Sequence, residues 1–209
     1  MPKINLSIQG GEHVFFSSRM SDVWEKTETL KTEKERQKYI FVFSGHAPKK
    51  VIFTIRLAAR AARAEIVAIY IGQDAMRTEA RIEIHHEAPD TFARVLFRAA
   101  LRDASRVDFS GMLNIHGGAD GSDSYLSAHA LMLSEKAMAR IDPQLEILAH
   151  NVKASHGATV GRVGAQELFY LQSRGLARRE AERVLVRGFF QEALARMPQD
   201  ATEYARHLL

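Results

Sequence analysis

Between Tyr39 and Val160 the chain repeats one pattern: a short apolar or alternating run, a polar or glycine-bearing turn, then another run. Ile40-Phe41-Val42-Phe43, Val51-Ile52-Phe53-Thr54-Ile55, Ile66-Val67-Ala68-Ile69-Tyr70 and Arg81-Ile82-Glu83-Ile84-His85 come first. Val95-Leu96-Phe97, Val107-Asp108-Phe109, Met112-Leu113-Asn114-Ile115, Leu131-Met132-Leu133 and Leu145-Glu146-Ile147 follow. Runs of this kind read as strands. No long amphipathic segment stands between them, which excludes a sheet of alternating strands and helices. Two architectures fit. Short strands at close intervals suit a parallel β-helix, in which each coil stacks on the last and buries an inward row of aliphatic side chains. The same period suits a β-sandwich.

After Val160 the period changes. Leu145 and Ile147, then Val152 and Ala154, still alternate with polar neighbours. Gly157 and Gly161 in the segment that follows predict sharp backbone bends. From Ala165 onward Leu168, Leu171, Leu176, Val184, Leu185 and Phe189 fall at helical spacing, and Gly175 divides them into two helices. Met197-Pro198 ends the last long helix, because proline disfavours helical geometry at the residue before it. A stack of coils leaves unpaired backbone and an open apolar interior at its end. The helices over residues 166–195 are placed to cover that end, with Phe169, Leu171, Leu185 and Phe189 turned toward it.

Ahead of the strand-rich region, residues 3–16 read as two short strands, Ile4–Ile8 and His13–Phe16, joined through Gly10-Gly11 as a hairpin. Residues 18–38 are polar, with Val23, Trp24 and Leu30 as their large apolar groups, and are expected to form a loop or a loosely docked helix. Arg56–Arg63 (RLAARAAR) could be helix by propensity or small residues among stacked strands. The expected organisation is an N-terminal hairpin and polar segment (1–38), a strand-built core (39–164) and a helical C-terminal region (165–209).

Composition narrows the chemistry. The 209 residues include no cysteine, which removes a disulfide framework, a thiolate zinc site, a cysteine nucleophile and an all-thiolate iron–sulfur site within the chain. The net charge of +4 and pI near 9.4 are mildly basic. Arg178, Arg179, Arg183 and Arg187 alternate with Glu180 and Glu182 on one helix, the pattern of a solvated face with ion pairs. No aromatic-interleaved basic patch points to nucleic acid. No segment approaches the roughly 18 apolar residues of a membrane span, and Met1–Asn5 lacks a signal-peptide layout, so a cytoplasmic location is expected.

Two long motifs carry a family resemblance. Val152–Gly161 (VKASHGATVG), followed by Phe169-Tyr170-Leu171-Gln172-Ser173-Arg174-Gly175, resembles the end of SufB/SufD proteins, the scaffold subunits of the SUF iron–sulfur cluster assembly machine. Upstream, Phe109–Ile115 and Leu131-Met132-Leu133-Ser134 fit the same family in the same order, and the match is closer to SufD. The resemblance covers about residues 81–197. It implies a mainly β fold, a right-handed parallel β-helix core with C-terminal α-helices, and so decides what period leaves open. It also implies a non-catalytic scaffold that dimerises through the β-helix, with a SufB-like subunit or a second copy, and docks a SufC-like ATPase through its C-terminal helices. Full-length relatives carry a helical N-terminal region for which residues 1–38 leave little room, so a short form is expected.

The SHG motif places His156 on the family's histidine implicated in cluster assembly at the interface of two cores. Imidazole can ligate iron or shuttle protons near neutral pH. A structural histidine donating to the neighbouring coil is the competing reading. The family's cysteine before the Ser-His pair is Ala154 here, and its acidic pair is His150-Asn151. Histidine, carboxylate and water make a poor set for a ferrous sulfide cluster. No tightly bound cofactor is therefore expected, and a transient cluster would need ligands from a partner. For ATPase docking the matching residues are Phe169, Tyr170, Ser173, Arg174 and Gly175, with Phe189 and Phe190 beyond; a cap over the core is the competing reading of these aromatics. Strand alternation sends His85 and His86 to opposite faces. The glycine-rich loop at residues 116–123 lacks EF-hand or P-loop spacing. Two rivals remain: a β-helix carbohydrate-active enzyme, for which Asp103, Asp108, Asp120 and Asp123 are the acidic candidates, and a dimeric structural module without an assembly role.

Overall fold

A computed structural model describes residues 11–209, which form eleven strands followed by three helices. The strands are β1 (Glu12–Phe16), β2 (Val23–Leu30), β3 (Arg36–Ser44), β4 (Lys50–Leu57), β5 (Arg63–Gly72) and β6 (Arg77–His86). They continue with β7 (Phe92–Leu101), β8 (Arg106–Ile115), β9 (Asp123–Met132), β10 (Met138–Ile147) and β11 (Lys153–Arg162). The helices are α1 (Ala165–Ser173), α2 (Arg178–Leu194) and α3 (Gln199–Leu208).

Odd-numbered strands form one sheet in the order β1-β3-β5-β7-β9-β11, and even-numbered strands form the other, β10-β8-β6-β4-β2. Every pairing is parallel. Successive strands therefore lie in opposite sheets, and each pairs with the strand one full coil away. That is a β-helix and excludes a sandwich of antiparallel strands. Equivalent positions stack: Tyr39, Ile66, Val95 and Leu126 occupy one inward column of the odd sheet. In the even sheet Leu57, His86 and Ile115 make another. β8 shows the rule at its plainest, buried at every second residue from Val107 to Ile115.

The corners are stacked too. Lys34, Ala61, Asp90 and Gly121 each have positive φ (60°, 58°, 59° and 77°). Each donates its N–H to a carbonyl one coil further on: Arg60, Pro89, Asp120 and Asn151 respectively. The ladder thus runs unbroken around the bend. The stretch Arg56–Arg63 is one of these corners. Arg56 and Leu57 finish β4, Arg63 opens β5, and the left-handed Ala61 between them is incompatible with a helix.

Several expectations change. Residues 18–38 hold β2 and the start of β3 in place of a loop or docked helix. Of the expected hairpin, Ile4–Ile8 lie outside the described residues, and His13–Phe16 fall in β1, which runs parallel to β3. Gly157 and Gly161 produce no bend; they lie within the continuous strand β11. Gly175, at φ 94°, does separate α1 from α2.

The helices do not cap the end of the stack. α2 lies along the outer face of the odd sheet over β5 and β7. Its Val186, Phe190, Ala193 and Leu194 meet Val67, Ile69, Ile71 and Leu96 in a second buried cluster, separate from the coil interior. α3, which follows Pro198, adds Ala201 and Ala205 to that cluster, and Tyr204 packs edge-on against Phe16. The reason is in the outward rows. Toward the C-terminal ends of β3, β5 and β7 they carry Ile40, Val42, Val67, Ile69, Ile71, Leu96 and Ala100, whereas on β6 they read Glu79, Arg81, Glu83 and His85. Burial of apolar area favours the first face.

Candidate functional site

β10 and β11 form the last coil, and among the described strands each has a neighbour on one side only, β8 and β9. Both therefore present a free edge of backbone donors and acceptors. The inward row of β11 is Ala154, His156, Ala158 and Val160, continuing the columns that run through Ser124, Leu126, Ala128 and Ala130. The inward row of β10 is Ala139, Ile141, Pro143, Leu145 and Ile147. Among the described residues no further coil lies over these rows. Ile147 and Val160 are each 43% exposed, and Leu148 just beyond is 62% exposed.

His156 is thus an inward-column residue at an open end. It continues the Leu126 column, yet it is exposed, and its ring makes no hydrogen bond among the described residues. No group of three or more His, Asp or Glu stands close enough to hold a metal ion among the described residues. At most, His156 offers one imidazole to a ligand set completed from elsewhere.

The second set of candidates divides. α1 buries none of its residues, and Phe169 and Tyr170 are 74% and 57% exposed. Arg174 sits over the Tyr170 ring at 5.3 Å, and Ser173 Oγ donates to the Tyr170 carbonyl at 2.7 Å. Gly175 ends the helix beside them. Phe190, by contrast, is fully buried beneath α2, and Phe189 is partly buried edge-on against it. Phe169, Tyr170 and Arg174 are available to a partner. Phe190 is not; it anchors α2.

The acidic candidates do not converge. Asp108 takes two hydrogen bonds from Arg106, and Asp123 pairs with Arg94 at 2.9 Å. Asp120 accepts from the backbone N–H groups of His150 and Asn151, bracing the glycine-rich loop against the next coil. Asp103 accepts from Asp74 N–H at a different corner. Each carboxylate has a local partner, and none of these contacts joins two of them as a hydrolase would require.

Three features escaped the sequence reading. The open row Ile147, Leu148 and Val160 has a visible signal, since it is apolar in the last strand pair before the helices. Arg98, on the outer face of β7, reaches Glu192 of α2 at 2.7 Å and is nearly buried there. Buried His86 bonds Thr91 Oγ1 at 2.8 Å, and Thr91 in turn bonds Ser122 at 2.7 Å.

Comparison with known proteins places this geometry. The signature of the SUF system FeS cluster assembly SufBD core domain matches residues 30–189. An iron–sulfur cluster assembly SufBD family protein of Mycobacterium leprae is 33% identical over 168 residues, 77% of this chain and 43% of that protein. One from Mycobacterium tuberculosis is 31% identical over 169 residues, covering 77% and 42%. The SufD protein of Escherichia coli is 33% identical over 114 residues, 54% of this chain and 27% of its own length. The chain spans less than half of the length of each of these relatives.

Proposed function

Because the chain belongs to the SufBD family, we propose that it is a non-catalytic scaffold subunit in iron–sulfur cluster assembly, joined to a second β-helix core through its open last coil. The observation that carries this reading is that coil itself. β10 and β11 expose free edges, and Ile147 and Val160 leave the apolar interior uncovered. A second core of the same construction, from a SufB-like subunit or another copy, would continue the ladders and bury the row. His156 would then sit at the junction, able to supply one imidazole or to move a proton while thiolates come from the partner.

The exposed Phe169, Tyr170 and Arg174 supply the second contact. An aromatic pair with an arginine at its edge is the composition of an interface hot spot. In this reading a SufC-like ATPase docks on α1, and its nucleotide-driven movement reaches the junction through α2, which the buried Phe190 and Arg98 tie to the coils.

Co-purification with a SufC-like ATPase, with and without a SufB-like subunit, tests this, with stoichiometry read by light scattering. Phe169→Ala or Arg174→Ala is expected to weaken ATPase association. His156→Ala is expected to leave both assemblies intact and to lower cluster formation in the reconstituted complex. No association with the ATPase under any nucleotide condition would overturn the docking role. Undiminished cluster formation by His156→Ala would leave a structural module in its place.

A further inference from the structure

A second pair of histidines lies on the opposite sheet, away from the open end. Alternation along β6 sends His86 into the interior and His85 outward with Glu83, in the row of Arg81 and Glu79. β8 runs beside β6 with Asn114 in register with His85. The ladder continues one residue past β8, His116 N–H donating to the His86 carbonyl at 3.0 Å. That extra rung keeps His116 in the outward phase and brings it against His85. His85 Nδ1 and His116 Nε2 are 3.3 Å apart, with ring centroids 5.6 Å apart and planes tilted by 58°.

We propose that His85 and His116 form a two-histidine site for a divalent first-row transition cation of the zinc, nickel or copper class. Three observations support it. Two ligands bound at roughly 2.0–2.1 Å to a tetrahedral cation are about 3.3 Å apart, the separation of these two nitrogens. Glu83 Oε2 lies 3.6 Å from the other nitrogen of His85. A carboxylate there favours the proton on Nε2 and leaves the Nδ1 lone pair turned toward His116, the outer arrangement that metal-bound histidines use. Finally, Asn114 Nδ2 donates to Glu146, while its Oδ1 is buried with no hydrogen-bond partner. An unclaimed carbonyl oxygen beside the pair can serve as a further ligand or hold a bound water.

Glu83 is held by Arg81 through Oε1 at 2.5 Å, which leaves Oε2 on the side of His85. Glu87, two residues beyond His85, is engaged by Arg56 of β4, and Glu146 of β10 by Asn114. In the absence of metal His116 Nε2–H donates to His85 Nδ1; a cation is bound by the other neutral tautomer of His116, its proton moved from Nε2 to Nδ1, so that both lone pairs face the metal with no net proton released. Imidazole ligands without thiolate suit these cations and not a sulfide cluster, so the site is distinct in chemistry and position from His156.

Titrating the full chain with Cu2+ alone, followed by calorimetry and by electron paramagnetic resonance, tests the assignment. One equivalent is expected to bind with hyperfine structure from two nitrogens. His85→Gln and His116→Gln should each weaken binding about tenfold or more, and Glu83→Gln by about tenfold. His156→Gln should leave this site unchanged. His116 lies past the end of β8 on the surface, so H116Q keeps the test valid even if a change within β6 disturbs folding. Equal affinity in H116Q and the parent, or a site lost only in H156Q, would overturn the proposal.

Discussion

His86 is buried at the corner of the even sheet, stacked between Leu57 and Ile115, with only one ring nitrogen bonded. Burial pushes its pKa down to about 4, with nearby His116, His85 and Arg94 lowering it slightly and Asp123 opposing them. The folded state therefore holds His86 neutral where the unfolded chain, with a histidine pKa near 6.5, takes up a proton. Its contribution is complete above about pH 6.5 and is lost as pH falls toward 4, on the order of 3 kcal/mol in all. Urea unfolding at a series of pH values should show stability falling through that window, and His86→Leu, which matches the column, should flatten the slope. Ala61 makes a second expectation. Its φ of 58° places an alanine in the left-handed region that Gly121 occupies two corners later in the same ladder. Ala61→Gly should stabilise the protein by about 0.5–1 kcal/mol, because relief of the strain exceeds the added chain entropy. The thermal midpoint reads it.

Among the elements, α2 depends on one buried cation. Arg98 donates to the carbonyls of Phe97 and Ser127 and to Glu192, and its side chain is 7% exposed. Glu192→Ala leaves that guanidinium short of a partner and should cost about 1–2 kcal/mol, moderated because Glu192 is half exposed. Arg98→Met should cost less, since an apolar side chain suits a surface already lined by Ile69 and Leu96. Equilibrium unfolding of both variants distinguishes a buried charge from a surface pair. At this scale the sequence was legible where strands carry two covered faces. Tyr39–Phe43 and Ile66–Tyr70 are apolar at consecutive positions because coils lie beneath them and helices above. β2 was hidden for the opposite reason. Its inward row includes Lys26 and Glu28, paired at 2.6 Å at the far end of the stack, so it lacks an apolar alternation. The helical spacing from Ala165 onward was visible, but the surface it would cover was not, because that depends on outward rows contributed by three separate strands.

For the whole molecule, the proposed association through the open end is tested at its apolar row. Val160→Lys or Ile147→Lys places a charge where a second core would bury an aliphatic side chain. Either should leave the thermal midpoint nearly unchanged, as both positions are already 43% exposed. Either should also shift a dimer to monomer in light scattering. A mass unaffected by both substitutions would place the partner elsewhere. The motif singled out His156 as a candidate, but its standing as an unbonded member of an inward column was not legible, since only the register with Leu126 shows it.

The pairing of each strand with one about thirty residues away also sets an order in time. Each coil needs only its predecessor, so the stack can grow as the chain leaves the ribosome, one rung after another. α2 is different: Glu192 meets Arg98 across a separation of 94 residues. Until that stretch is synthesised, Val67, Ile69 and Leu96 stand open to water on the outside of a finished wall. The newborn protein therefore passes through an interval in which its coils are built and its flank is adhesive, until α2, made after them, closes it.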